Sequence, residues 1–240
     1  GQGVASRTMF CVLGPLLAVV AGVGAFVALQ GDDDETTTAT TTTTAVDETT
    51  TTGGDTTTTT AGATTAAASE FVTSGGLTFT RLPEPWQDWV TDGRGQIAEL
   101  EGTAGQYVVV QEQAPSGGQW IGNLLIGDLT SSVPYGGEGD LAATTTALSD
   151  LLIASYYVDD AQAVVVNETA VTIDGHPGYF MHNELTFSQA GLETTREKLI
   201  VVVVDTGRAR PGVFWASIPY NRADLNSGMD QVYGSLQVND

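Results

Sequence analysis

Positive charge is scarce in this chain. Eight Lys and Arg stand against 29 Asp and Glu, giving a formal net charge of -21, and the single lysine is Lys198. A field of that sign repels phosphate backbones and anionic lipid headgroups, so nucleic acid is excluded as an expected partner; basic partners or divalent cations would be attracted. Cysteine is scarcer still: Cys11 stands alone, inside an apolar run, so whatever folds downstream must do so without disulfides. Histidine occurs twice, at His176 and His182, with Glu184 nearby. In an extended strand His182 and Glu184 share a face, but His176 lies about 20 Å back along it. Zinc needs three or four convergent ligands, so no metal site and no cofactor is expected.

The apolar run itself covers residues 9–29, from Met9 to Leu29, and carries no charge. Twenty-one residues rising about 1.5 Å each span about 31 Å, the hydrocarbon thickness of a bilayer. This predicts one transmembrane helix and a chain bound to membrane lipid through it. Arg7 precedes the run, while Asp32, Asp33, Asp34 and Glu35 follow it; the basic side normally stays cytoplasmic. Residues 1–8 are therefore read as a short cytoplasmic end, and Gly1 in place of a starting Met leaves room for more chain upstream. A cleaved signal peptide is the competing reading. Against it, the apolar core is long, and its small-x-small triplet, Gly22-Val23-Gly24, lies within the run rather than beyond it. Lipid attachment at Cys11 is disfavoured by the Thr8-Met9-Phe10 that precedes it. Gly14, Ala18 and Gly22 place small side chains on one helix face, where a second helix could approach to form a weak homodimer, although such residues are common in spans.

Residues 30–70 are dominated by Thr, with acids and no bases after Gly31. Too little apolar area is present to offset backbone ordering, at about 1–2 kcal/mol per residue, so this segment reads as a disordered acidic linker. A flexible coil of that length has a mean reach of about 35 Å and a limit of about 130 Å. Its clustered Thr also offers sites for O-linked sugars.

Residues 71–240 hold enough chain for one domain with its own core. Leu77 to Leu82 alternates as a strand and stops at Pro83 and Pro85; Gln106 to Gln113 and Trp120 to Leu129 continue it as a meander. Asp140 to Tyr157 changes period: Leu141, Leu148, Leu151, Leu152 and Ser155 share a helical face, with Asp140 placed to cap. Ala163 to Ile173 and Gly178 to Phe187 flank the turn-forming Asp174-Gly175-His176-Pro177. Leu199 to Val204 is apolar at six successive positions, which marks a central strand covered on both faces. Val213 to Ile218 ends at Pro219. Leu225, Met229, Val232 and Leu236 then form the stripe of a closing helix. The order predicts an α+β domain, an antiparallel sheet covered by helices.

Four of these segments carry a resemblance. Phe79-Thr80-Arg81-Leu82-Pro83-Glu84-Pro85-Trp86, Val171-Thr172-Ile173-Asp174-Gly175-His176-Pro177-Gly178, Ala216-Ser217-Ile218-Pro219 and the closing Ser235-Leu236-Gln237-Val238 resemble actinobacterial LpqN-type envelope proteins with a PsbP-like domain. The resemblance runs from about Leu77 to Asp240 and implies an α/β/α sandwich serving as a binding or assembly module, with no catalytic residues to carry over. The uncleaved span stands where many such proteins carry a lipidated cysteine.

A search for chemistry returns little. Ser217 lacks the flanking glycines of a nucleophile elbow. Asp32 to Glu35 lacks calcium-loop spacing. Asn167-Glu168-Thr169 matches a glycosylation triplet that also recurs by chance. Trp86, Trp89, Trp120 and Trp215 would line an apolar groove or, more plainly, pack a core. No catalytic, cofactor-binding or metal residue is therefore assigned. The expectation is a single-pass plasma-membrane protein, N-terminus cytoplasmic, whose exported domain is a non-catalytic module for an envelope protein partner. A carrier or sensor of a small apolar or envelope-derived ligand, or a hydrolase with unlocated carboxylates, are the alternatives.

Overall fold

A computed structural model of the protein describes residues 69–89, 96–115 and 117–239. The expected crossing at 9–29, its Gly14, Ala18 and Gly22 stripe and the linker up to residue 68 lie outside the described residues; among those described, no helix is long and apolar enough to cross a membrane.

Strands Phe71–Ser74 (β1) and Leu77–Thr80 (β2) are followed by Gln87–Asp88 (β3), Leu100–Gln111 (β4) and Trp120–Leu129 (β5). A 3-10 turn leads into the helix Leu141–Tyr156 (α1), then come Gln162–Ile173 (β6), His176–Thr186 (β7), Arg196–Val204 (β8) and Gly212–Pro219 (β9). A second 3-10 stretch, Tyr220–Leu225, opens the helix Asn226–Gly234 (α2), and Gln237–Val238 (β10) closes the chain. The main sheet has seven strands in the order β3-β4-β5-β9-β8-β7-β6, and a smaller sheet has the order β1-β2-β10. Every ladder is antiparallel. The domain is thus a mixed α+β structure with antiparallel sheets and two helices.

The run of six apolar residues in β8 is buried throughout, because the sheet is packed on both sides. On one side Leu125, Leu199, Val201 and Trp215 meet Leu148 and Leu152 of α1. On the other Leu124, Val202 and Phe214 meet Phe79 of β2 and Met229 and Val232 of α2. On the α1 side the helix is joined in the cover by Ile97, Val133 and Leu192 of the connecting segments; opposite, α2 shares the cover with the small sheet.

Three expectations are corrected. β2 does not lead a meander into β4 and β5: Gly75-Gly76, with φ of +60 and +69, folds β1 back onto it, and β10 takes its other edge. Asp140 occupies the N-cap of α1 but makes no capping hydrogen bond through its side chain, since a 3-10 turn already leads into the helix there. Leu151 is exposed at 36%, and the hidden face of α1 is completed by Thr144, Thr145 and Ser149 instead. Those hydroxyls can be buried because each has a partner: Thr144 donates to Pro134 O at 3.1 Å, Thr145 to Leu141 O at 2.8 Å, and Ser149 accepts from Asn183 Nδ2 at 2.9 Å. The closing stripe holds, though only Met229 and Val232 lie within α2; Leu225 and Leu236 flank it and are also buried.

Candidate functional site

The main sheet ends on two unlike strands. β3 is two residues long, whereas β6 is twelve, paired to β7 from Gln162 opposite Thr186 to Ile173 opposite His176, with no strand on its far side among the described residues. Nine consecutive residues of β6, Gln162 to Ala170, are exposed. Yet the segment is apolar and β-branched: Val164, Val165 and Val166 are 64%, 50% and 54% exposed. An open edge is a row of unpaired N–H and C=O groups, which proteins ordinarily blunt with Lys, Pro or brevity. β6 contains no Lys, Arg or Pro. Its one irregularity is a bulge at Val166, where the register shifts between Val165 and Asn167.

On the α1 side this edge is continuous with an open depression of about 370 Å³, lined by Asp150, Ile153 and Ala154 of α1, by Tyr157, Val158, Asp159 and Ala161, and by Ala163 of β6. Tyr157 fixes its wall. It leaves α1 in an extended conformation and its ring is buried. Its hydroxyl donates to Ser217 Oγ at 2.6 Å, Ser217 Oγ donates to Glu197 Oε2 at 2.6 Å, and Trp120 Nε1 donates to Glu197 Oε1. Burial pushes the Glu197 carboxyl up to about 7 despite the opposing hydrogen bonds from Ser217 and Trp120. The Tyr157 phenol is pushed well above its ordinary value, by burial first and by Glu197 second. This network braces the end of α1 against β5, β8 and β9.

Charge around the edge has one sign. No Lys or Arg occurs between Arg94 and Arg196, the stretch that supplies β4 to β7 and α1. Asp150 and Asp159 line the depression, Asp160 and Glu168 are exposed beside it, and each arginine among the described residues is already engaged. Arg196 pairs with Glu184 and lies 4.5 Å over the Tyr220 ring, on the opposite face of the sheet.

The residues singled out from sequence are dispersed. His176 opens β7 rather than sitting in the turn, which is Asp174-Gly175 alone, and its Nδ1 lies 3.2 Å from Asp205 O. His182 lies deeper in β7, and burial and Lys198 hold its imidazole below the ordinary value. Glu184 is taken up by Arg196 and by the Tyr220 hydroxyl at 3.3 Å. No three metal-ligating side chains converge among the described residues. Asn167-Glu168-Thr169 falls on the exposed edge of β6. Trp120 and Trp215 are core residues, Trp89 packs edge-on against Tyr107, and Trp86 lines a depression of about 250 Å³ with Leu82 and Leu225. Sequence reasoning weighed Ser217 only as a nucleophile and passed over Glu197. The available signal was a carboxylate two positions before an all-apolar run, in register with its inward-facing residues Leu199, Val201 and Val203.

No family model and no curated protein matches the chain. Among solved structures, the chain is similar to the solution structure of cyanobacterial PsbP (CyanoP) from Synechocystis sp. PCC 6803, at 17% identity over 72% of this chain and 95% of that one, with a TM-score of 0.44. It is also similar to the crystal structure of a protein of unknown function, PA94 from Pseudomonas aeruginosa, at 14% identity over 64% and 89% of the two chains, with a TM-score of 0.33. Likenesses of that size say nothing of activity, and the architecture stands on the strand order of the chain itself.

Proposed function

We propose that the chain is a single-pass, membrane-anchored envelope protein of the LpqN type, with a PsbP-like exported domain that binds a protein partner and catalyses no reaction. The helix at 9–29 would hold it in the plasma membrane with its N-terminus cytoplasmic, and the Thr-rich linker would let the domain search for its partner outside. The observation that carries this reading is the open edge of β6, twelve residues long, with Val164, Val165 and Val166 exposed and no Lys, Arg or Pro along it. A partner strand would add to it, with main-chain hydrogen bonds supplying affinity.

The experiment is site-specific photocrosslinking in intact cells, with the reactive group at Val165 on β6 or at Gln231 on the exposed face of α2. A defined envelope protein joined at Val165 but not at Gln231 is the expected outcome. Identical adducts from both positions, or none above background, would remove the reading. Protease added to the same sealed cells should digest the domain; a spared domain would remove the export claim. The alternative of a carrier or sensor draws on the depression at Trp86, which at about 250 Å³ lies below the roughly 300–1,000 Å³ of ordinary ligand pockets.

A further inference from the structure

We infer that the strand received by β6 is cationic, an extended segment whose α1-facing positions carry both Lys or Arg and apolar side chains. This rests on the proposal that β6 is a docking edge and specifies its occupant. Main-chain pairing along an edge is indifferent to sequence, so selectivity must come from the side chains beside it. On the α1 side those are of two kinds. Ile153 and Val158 give the depression an apolar floor, and Ala163 carries that surface onto the strand. Asp150 and Asp159 supply carboxylates at the same depression, and Glu168 lies further along β6 on the same face, opposite Met181 of β7.

α1, β6 and β7 contain no Lys or Arg to neutralise these acids, and His182 lies in register with Ile200 on the opposite face of the sheet. Lys198 and Arg196 lie on β8, and their register with Glu184 and Thr186 of β7 turns both side chains to the opposite face. An incoming strand presents alternate residues to opposite faces. One with apolar residues and bases distributed over the α1 side would fill the floor and meet the acids together. A second copy of this chain fits poorly: it brings a net charge of -21 and would set the acids beside one β6 against those of the other. Like-charge juxtaposition selects against that pairing more strongly than exposed ion pairs select for the right one.

The test uses the full chain in uncharged detergent and two capped heptapeptides with Thr at every second position, the remaining positions interleaving Val with Lys in one peptide and Val with Glu in the other. Affinity is read by fluorescence anisotropy and location by hydrogen exchange at the β6 amides. The lysine peptide should protect β6 and bind at least about tenfold more tightly than the glutamate peptide. Asp150→Lys combined with Asp159→Lys, both at exposed positions, should reverse that preference while leaving the melting temperature unchanged. Asp150→Asn combined with Asp159→Asn should abolish the preference without reversing it.

Equal protection by both peptides would overturn the cationic assignment and leave the docking edge standing. Protection by neither, with the Val165 crosslink retained, would also overturn it. Loss of both the protection and the crosslink would remove the docking edge as well. Concentration-dependent protection of β6 without peptide at low salt would assign the edge to a second copy and overturn the inference.

Discussion

Glu197 shows how much a single side chain can set. Its carboxyl is enclosed by Trp120, Ser217 and Tyr157, with no cation among its partners, so burial dominates and the proton is held up to about 7 instead of the usual 4.5. The native state therefore binds this proton more tightly than the unfolded chain does. The stability so contributed is fully present below about pH 4.5 and is lost as pH rises through about 7. A difference of that size corresponds to about 3 kcal/mol between the two ends of the window. The acidic surface also loses stability as pH rises, through self-repulsion, so the informative quantity is a difference between variants. Urea midpoints across the window should fall for the wild type and fall distinctly less for Glu197→Gln, whose amide keeps an acceptor for Trp120. Parallel slopes for the two proteins would show that Glu197 is not the titrating group. The sequence does not reveal this cluster because its members come from β5, the residue after α1, β8 and β9; only folding brings them within hydrogen-bonding distance.

At the scale of elements, strands with strong local patterns could be read and contacts between distant elements could not. Trp120–Leu129 has the bounds its composition implies, and Leu199 to Val204 is buried on both faces as six consecutive apolar residues require. The strand Phe71–Ser74 lies at the start of the domain read from residue 71 but carries no strand assignment from sequence, although Gly75-Gly76 between two alternating runs is a hairpin signal; four residues are too few for their alternation to stand out. That hairpin rests on the main sheet through glycine. A Cβ added at Gly75 would come within 2.1 Å of Gly127 C and 2.5 Å lies between Gly75 O and a Cβ added at Gly212, so the backbones touch. Gly207 has a similar φ, +74 against +60, but faces open space. Gly207→Ala should therefore cost about 1 kcal/mol from conformation alone, and Gly75→Ala about 3 kcal/mol or more, because the hairpin must also lift. Equal losses in urea unfolding would show that the hairpin does not need that approach. β6 behaves in the opposite way. Val165 is half exposed, so Val165→Lys should shift stability by no more than about 0.5 kcal/mol while removing strand addition at the edge. An unchanged melting temperature, with no partner captured by a reactive group placed at the exposed Thr169 of the same edge, is the expected pair of readings; retained capture would place the interface elsewhere.

The whole molecule poses a problem that neither scale resolves: an apolar twelve-residue edge, without Lys or Pro, ought to pair with its own copies. The composition supplies the opposing force. A net charge of -21, with no base between Arg94 and Arg196, surrounds the edge with carboxylates, and two such edges repel before their backbones can pair. Protection of that kind depends on ionic strength. The Debye length is about 10 Å at 0.1 M salt and about 3 Å at 1 M, so screening should weaken repulsion between whole domains while leaving backbone pairing and apolar contact intact. The full chain in uncharged detergent should therefore show β6-mediated self-association at high salt and little at low salt, by sedimentation velocity. Val165→Lys should suppress the high-salt species by placing an ammonium at the edge, and the glutamines of an Asp159→Gln and Glu168→Gln variant should bring association to lower salt. A sedimentation profile indifferent to salt in all three proteins would mean that charge is not what keeps this edge vacant, and the bulge at Val166 would then be the feature that blocks self-pairing.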